Sequence, residues 1–279
     1  MHLTDSTSII TRDKVQILLV ENSFAKTEIS LFGAQVLSFI PKHDNRDRLW
    51  VSQRAIFDGK KPIRGGIPIC WPWFGAHSNQ ADVAAHGYVR TQIWKIQLTE
   101  ETASGTTITF MPKTSAGQGF TGKAQLTLIV HVGKQLSVQL HTSNLGETSF
   151  SFNCALHSYF AISDINETKL LGLSGQYLDK TRHNKVFETP HPYQFNEEID
   201  RVHLHKPERL TINHGHIKTQ IFSSGHDSVV IWNPWLDKST TMEDMLEQSY
   251  LTMLCVETAV TQGQIVLPRA THILEQTID

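Results

Sequence analysis

The feature of this sequence that most constrains its fold is an alternation of apolar and polar residues with a period of two. Every second residue of the segment 126–132 is apolar, Gly133 and Lys134 follow, and the alternation resumes over 136–140. This pattern predicts a β-hairpin with one buried face. Similar patterns predict further strands at 15–20, 28–40, 91–98, 106–110, 149–159, 229–232, 251–256 and 265–276.

Helical signals are almost absent. Thr240 and Glu243 have the spacing of a capping box and predict one short helix near 240–249. Many short strands with so little helix indicate an all-β fold, a large antiparallel β-sandwich. No stretch has the composition of an interdomain linker and no repeat is present, so residues 1–279 are predicted to form a single domain.

Composition excludes several classes of partner. The formal net charge is −2 and no basic stripe occurs, which argues against nucleic-acid binding. No apolar run approaches the roughly 20 residues that span a bilayer, and residues 1–8 lack the pattern of a signal peptide. Cys70, Cys154 and Cys255 are odd in number, scattered and set in apolar stretches. They predict buried thiols in a reducing compartment, and hence a cytoplasmic protein without membrane association.

The segment with the densest chemical signal is 64–75, RGGIPICWPWFG. Its two adjacent glycines allow a close approach of the backbone to another group. Its three aromatic residues, with Arg64 at the entrance, are compatible with a wall on which a sugar stacks beside an anion contact. The alternative is a buried aromatic loop with an arginine at the surface, because aromatic residues usually belong to the core.

Single polar residues elsewhere have two interpretations each. His86 and Arg90, separated by four positions around a glycine, either face a common pocket or are exposed. His157 stands within an apolar strand, where a histidine is more often a core residue than a catalyst. Glu257 follows an apolar strand, and a buried glutamate needs either a function or a cationic partner. Asp200 is unremarkable when taken alone.

Fifteen histidines raise the question of a metal site. The pairs His203/His205 and His214/His216 would each point two imidazoles to one side of a strand. No carboxylate or cysteine stands near them at a spacing suited to metal coordination. We therefore expect no metal.

Seven segments, taken in order, resemble the aldose 1-epimerase superfamily, and in particular its hexose-6-phosphate mutarotase branch. Only the first segment is specific by itself. The occurrence of all seven in this order is also specific, and the segments extend over most of the chain. They are RGGIPICWPWFG at 64–75, HGYVR at 86–90, LHSYF at 156–160, GLSGQYLDK at 172–180, EIDRVH at 198–203, VVIWNPW at 229–235 and LCVETA at 254–259.

The resemblance implies a β-sandwich of the galactose mutarotase-like type, with its site on one concave sheet. It implies that His157 is the general acid and Glu257 the general base. It also implies that Arg64, Arg90 and Asp200 contact the substrate and that His86 lines the same site. Ala85 departs from the pattern, since relatives carry a polar residue associated with substrate contact there, so the resemblance does not define the hydroxyl specificity of this chain.

The chemistry of anomer exchange agrees with these implied roles. A base removes the proton from the hydroxyl on C1 while an acid protonates the ring oxygen, and closure reverses both transfers. The expected activity is interconversion of the α and β anomers of a hexose 6-phosphate, glucose 6-phosphate first, without a cofactor. The alternatives are a mutarotase for unphosphorylated aldoses, a non-catalytic carbohydrate-binding protein, and a glycoside hydrolase or lyase using Asp200 and Glu257.

Overall fold

A computed structural model describes residues 3–279. In chain order the strands are β1 (Thr7–Arg12), β2 (Val15–Glu21), β3 (Ala25–Ser30), β4 (Gln35–Pro41), β5 (Ile69–Cys70), β6 (Trp94–Thr102), β7 (Gly105–Pro112), β8 (Ala124–Val132), β9 (Leu136–Asn144), β10 (Phe150–Leu156), β11 (Tyr159–Ala161), β12 (Thr168–Leu171), β13 (Gln176–Asp179), β14 (Lys185–Glu188), β15 (Ile199–His203), β16 (Arg209–His214), β17 (Ile217–Ser224), β18 (Ser228–Asn233), β19 (Met253–Val266) and β20 (Thr271–Ile278). The α-helix α1 is Trp235–Thr241, and 3-10 turns lie at Val89–Thr91, Ile165–Glu167, Lys180–Arg182 and Glu247–Thr252.

The strands form three antiparallel sheets. A small sheet has the order β1-β2-β3-β4. The cleft sheet has the order β14-β13-β15-β18-β19-β10-β5, with β11 also paired to β19, and the back sheet has the order β12-β16-β17-β20-β9-β8-β7-β6. The predicted all-β, galactose mutarotase-like class is therefore confirmed. The hairpin predicted over 126–140 is β8 and β9, paired throughout from Ala124 with Asn144 to Val132 with Leu136.

One hydrophobic core lies between the cleft sheet and the back sheet. Alternate residues of β10 and β19, such as Leu156 and Val256, pack in the same cluster as Leu128 and Leu274 from the back sheet. Because side chains alternate along a strand, the intervening residues of β10 and β19 point away from this core. Those residues form the outer face of the cleft sheet, where the candidate site lies.

The predicted helix near 240–249 is misplaced. The α-helix begins earlier, at Trp235, and Thr240 lies in its last turn, while a separate 3-10 turn starts at Glu247. The Asn233 side chain accepts a hydrogen bond from the backbone N–H of Trp235 at 2.9 Å, and Pro234 precedes the first helical residue. Asn233 thus stabilises the turn that leads into the helix, and Pro234 occupies the N-cap position.

The predicted strand 28–40 is also divided. Gly33 adopts a φ of +80° between β3 and β4, and a Cβ there would lie 2.7 Å from the Arg90 carbonyl oxygen. This turn ends one strand and starts the next, because a side chain at this position would be strained and obstructed. The two strands pair with each other, so the predicted segment is a hairpin.

The adjacent glycines of 64–75 approach the protein's own backbone. A Cβ on Gly65 would meet the Trp50 carbonyl oxygen at 2.4 Å, and one on Gly66 would meet that of Val36 at 2.1 Å. The predicted close approach is therefore present, and it locks this segment against the small sheet. Nothing in the part of the chain described, residues 3–279, is a helix with the length and apolar character needed to cross a bilayer.

Candidate active site

The outer face of the cleft sheet carries residues in register across neighbouring strands. One row consists of Leu178, Val202, Val230 and Glu257, each paired with the next. The adjacent row consists of Asp200, Trp232, Cys255 and Tyr159, paired in the same way. Every residue of both rows except Cys255 lines a cavity of about 630 Å³, together with residues of the loops beyond β5 and β13, and this size is suited to a small-molecule ligand.

His157 and Glu257 come together on this face. The His157 Nε2 lies 3.4 Å from the Glu257 Oε1, and their side chains are 12% and 1% exposed. His157 stands where β10 ends and before β11 begins, and both strands pair with β19. This interruption turns His157 toward Glu257, as irregularities in a ladder commonly re-aim a side chain. Neither the Nδ1 of His157 nor the Oε2 of Glu257 has a hydrogen-bond partner within residues 3–279.

Burial sets the protonation of this pair. Burial raises the pKa of Glu257 well above that of an ordinary glutamate, and the charge of Lys180 partly opposes the rise. Burial also lowers the pKa of His157, and the positive charges around it lower that pKa further. Both effects disfavour a net charge on the pair, so the state with one shared proton is favoured. One proton between a carboxyl and an imidazole is what acid/base exchange requires.

His86 lies beside this pair as a neutral imidazole. Its ring centroid is 5.7 Å from that of His157, and its Nδ1 accepts a hydrogen bond from the Gly75 N–H at 3.3 Å. Burial, assisted by the charge of Arg90, lowers the pKa of His86 to about 3. A neutral imidazole that accepts at Nδ1 carries its proton on Nε2, so His86 is a hydrogen-bond donor lining the cavity.

Arg64 is linked to His157 through an aromatic ring. Its guanidinium donates to the Asp244 carboxylate at 3.1 Å and to the Tyr159 hydroxyl at 2.9 Å. The Tyr159 ring stacks on His157 with centroids 5.0 Å apart. Arg64 lines the cavity, as predicted for a substrate contact, but Asp244 compensates its charge.

Arg90 is not part of the cavity wall. Its guanidinium donates to the Ala85 carbonyl oxygen at 2.9 Å, and it forms no salt bridge with a carboxylate in the described chain. It nevertheless lies close to the site, because Ala85 directly precedes His86 of the cavity wall, and its positive charge lowers the pKa values of both His86 and His157. Arg90 is thus a nearby cation without a compensating acid.

Asp200 lines the cavity and forms an ion pair with Lys180. The Lys180 Nζ lies 3.2 Å from the Asp200 Oδ1 and 4.8 Å from the centre of the Phe74 ring. Lys180, Tyr159 and Trp232 line the cavity and were missed by the sequence reasoning. The signal for Lys180 was present in the segment 172–180, but its role depends on pairing with β15, which no local pattern reveals.

The aromatic residues of 64–75 divide between the two interpretations. Trp71 is fully buried in the core, and Trp73 is buried and donates to the Ala84 carbonyl oxygen. Only Phe74 lines the cavity. The aromatic residues on the cavity wall are therefore Phe74 from the loop with Trp232 and Tyr159 from the sheet, and the two tryptophans of the loop are buried.

One group in the described chain has donors close enough to hold a metal ion. Ligand atoms of His157, Cys255 and Glu257 all lie within 4.8 Å of one another. One histidine of each pair singled out earlier is hydrogen-bonded elsewhere: His203 bonds the Tyr193 hydroxyl at 2.9 Å, and His214 bonds the Ser163 hydroxyl at 2.9 Å. The absence of a metal requirement stays a prediction, with a chelator test given below.

Comparison with known proteins places the chain in a family. A family model described as aldose 1-epimerase matches residues 16–274. A protein of Escherichia coli (strain K12) named "Putative glucose-6-phosphate 1-epimerase" is 33% identical over 253 residues, covering 88% of this chain and 84% of that protein. A protein of Cenchrus ciliaris with the same name is 33% identical over 256 residues, covering 86% of this chain and 76% of that protein.

Solved structures agree. A "putative mutarotase" from Salmonella typhimurium superimposes with a TM-score of 0.91 at 29% identity, covering 99% of this chain and 94% of that one. A galactose mutarotase-like protein from Lactobacillus casei superimposes with a TM-score of 0.72 at 15% identity, which shows the fold alone. By its sequence, this chain belongs to the aldose 1-epimerase family, a family of isomerases.

Proposed function

We propose that this enzyme interconverts the α and β anomers of a hexose 6-phosphate, with glucose 6-phosphate as the first substrate to test. The observation that carries the proposal is the contact of His157 with Glu257, 3.4 Å apart on the floor of a cavity of sugar size. Acid/base exchange needs two groups that share one proton and reach one ring, and no other chemistry is required of the protein.

Ring opening follows from this pair. The Glu257 carboxylate takes the proton of the C1 hydroxyl, and the His157 imidazolium donates its proton to the ring oxygen. The bond from C1 to the ring oxygen breaks while the C1 carbonyl forms. Hydroxyl groups of a bound sugar that donate to Glu257 favour its carboxylate form, which moves the shared proton onto His157. After rotation about the bond from C1 to C2, closure returns both protons.

A phosphate on the substrate suits the charges around the cavity. Arg64 and Lys180 are each compensated by a carboxylate, at 3.1 and 3.2 Å, whereas Arg90 has no such partner in the described chain. Arg90 uses one N–H on the Ala85 carbonyl and retains further donors for an anion. We therefore propose that Arg90 supplies the uncompensated charge that reads the phosphate, with Arg64 as the second predicted contact.

The decisive experiment follows the anomeric proton signals of freshly dissolved α-glucose 6-phosphate and α-glucose by NMR, with buffer alone as the floor. Exchange faster than buffer, without a new product, is expected for the mutarotase. A carbohydrate-binding protein would leave the rate at the floor, and a glycoside hydrolase would act on glycosides instead.

The phosphate reading is tested with Arg90→Ala. We expect kcat/KM for glucose 6-phosphate to fall by roughly 10- to 100-fold, mainly through KM, because the phosphate is remote from C1 and its contacts persist in ground and transition states. Activity on glucose should change little. Equal wild-type activity on both sugars would instead favour the mutarotase for unphosphorylated aldoses, consistent with the compensation of Arg64 by Asp244.

The proposed partner is thus a small sugar phosphate, and no cofactor takes part. We expect the enzyme to work in the cytoplasm, since Cys70, Cys154 and Cys255 are all free and buried.

A further inference from the structure

Lys180 and Asp200 form an ion pair on the cavity wall with unused hydrogen-bonding capacity. The side chains are 33% and 25% exposed, and both line the cavity. An ammonium group has three donors and a carboxylate about four acceptor positions, so their mutual contact leaves most of both sets free. Phe74 lies under the ammonium group and offers an apolar surface beside it.

The turn that carries Lys180 is held in place. Asp179, directly before it, is buried and accepts hydrogen bonds from the Thr181 backbone N–H at 3.0 Å and from its hydroxyl at 2.6 Å. Asp179 also lies 3.6 Å from the Arg201 guanidinium. Lys180 therefore starts from a fixed backbone, which lowers the entropy cost of placing its ammonium group against a ligand.

The net charge of the pair indicates which part of a sugar phosphate it recognises. Lys180 and Asp200 together are neutral, and a neutral pair has little preference for a dianionic phosphate. A donor and an acceptor 3.2 Å apart match two neighbouring hydroxyl groups of a pyranose ring, one accepting from the ammonium and the next donating to the carboxylate. Arg90, without a carboxylate partner among residues 3–279, is the better match for the phosphate.

We propose that Lys180 is a specificity-determining residue that acts with Asp200 to recognise two adjacent hydroxyl groups of the sugar. Lys180 donates to one hydroxyl oxygen and Asp200 accepts from its neighbour. The idea rests on the proposed function, because it assumes a hexose 6-phosphate in this cavity.

The test uses Lys180→Met, which keeps the length of the side chain and removes its charge and donors. Glucose 6-phosphate and its 2-deoxy, 3-deoxy and 4-deoxy analogues are compared by calorimetric binding and by kcat/KM. The matched control is Lys238→Met, which breaks a similar ion pair with Glu198, 2.7 Å apart and outside the cavity. Asp200→Asn is the second variant, and unfolding curves establish that each variant is folded.

We expect Lys180→Met to weaken the binding of glucose 6-phosphate by roughly 10- to 100-fold, which is the effect of losing a hydrogen bond to a charged group. The loss should shrink to about twofold for one deoxy analogue, because the bond is already missing there. Asp200→Asn should show the same reduced loss of binding, but for the analogue deoxygenated at a neighbouring position. Lys238→Met should match the wild type.

An equal loss for the parent sugar and every analogue would overturn the proposal and leave Lys180 as a structural partner of Asp200. A loss confined to phosphorylated sugars and absent with glucose would also overturn it, in favour of phosphate binding. The proposed function fails separately, if the wild type does not accelerate mutarotation above buffer. Binding of the same sugars to the same variants still tests Lys180 in that case.

Discussion

The back sheet and the cleft sheet have eight strands each, yet they use them differently. In β8 and β9 of the back sheet, buried and partly exposed residues alternate over nearly the whole length, so one face meets the core and the other meets solvent. In β18 of the cleft sheet all six residues are buried, and in β19 the first eight are. The second buried face contains Glu257, beside His157.

This difference separates stability from chemistry. A sheet with one solvated face needs apolar residues only on its other face, and its strands therefore show an alternation of apolar and polar residues. Burying ionisable groups on a sheet costs desolvation free energy, and such burial is expected where those groups have a function. The predictions below test whether the two sheets divide the tasks in this way.

The largest effect is expected at the proposed catalytic pair. Glu257→Gln and His157→Asn should each lower kcat by about 10²- to 10⁴-fold, since each removes one partner of the proton exchange. The unfolding free energy of Glu257→Gln should change by no more than about 1 kcal/mol, because the amide resembles the neutral acid that burial favours. Rates are measured by NMR exchange against buffer and stability by urea unfolding. A variant that retains near wild-type turnover would refute the role given to that residue.

The opposite outcome is expected on the back sheet. Leu128, fully buried in β8, packs in the main core. Leu128→Ala should lower the unfolding free energy by about 2–5 kcal/mol through the lost burial and the cavity left behind. The kcat of the folded fraction should be unchanged well below the melting temperature. A large loss of kcat with intact stability would show that the division between the sheets is too simple.

The pH dependence of kcat sharpens the comparison. A second proton on the pair removes the base, and loss of the shared proton removes the acid, so the profile should be a bell. Burial disfavours both charged states. The acidic midpoint should therefore fall below the ordinary imidazole pKa, and the basic midpoint should lie above the ordinary carboxyl pKa. An acidic midpoint above pH 7 would contradict the buried-pair description.

The smallest effect is expected from metal removal. Exhaustive treatment with a chelator should leave the rate unchanged, because proton exchange by His157 and Glu257 needs no Lewis acid. The matching test adds back one divalent ion at a time to the treated protein. Activity lost to the chelator and restored by one ion would overturn this prediction, and His157, Cys255 and Glu257 would be the first candidate ligands, since their donor atoms are already close.

The sequence predicted β7, β8 and β9 of the back sheet because solvent on one face produces a period-two pattern. The hairpin over 126–140 is the clearest example. The sequence missed β12, β16 and β17, and the single strand predicted over 265–276 was wrong, because β19 ends at Val266 and β20 begins at Thr271. The helix near 240–249 was misplaced because Thr240 and Glu243 imitate a cap, whereas Asn233 and Pro234 form the actual start. The single strand predicted over 28–40 overlooked the turn that Gly33 imposes.

The candidate site was predictable only in part for a different reason. His157 and Glu257 were named from a family resemblance, and their contact depends on strand pairing between distant segments. The compensation of Arg64 by Asp244 joins residues 180 positions apart, and no local rule anticipates it. Lys180 was missed because its importance arises only when β13 pairs with β15 and brings it to Asp200.

The three apolar neighbours of Glu257 in its row have a consequence for how the two anomers bind. Leu178, Val202 and Val230 lie in register with Glu257 and offer no donor or acceptor side chain. In the proposed mechanism a C1 hydroxyl contacts Glu257, and the three apolar neighbours of Glu257 add no hydrogen bond that would favour an axial over an equatorial orientation. Both anomers should therefore bind with similar affinity, and neither should act as a strong product inhibitor. With the proposed activity, the enzyme would speed the approach to the solution ratio of anomers from either side, and it would supply whichever anomer a consuming reaction depletes.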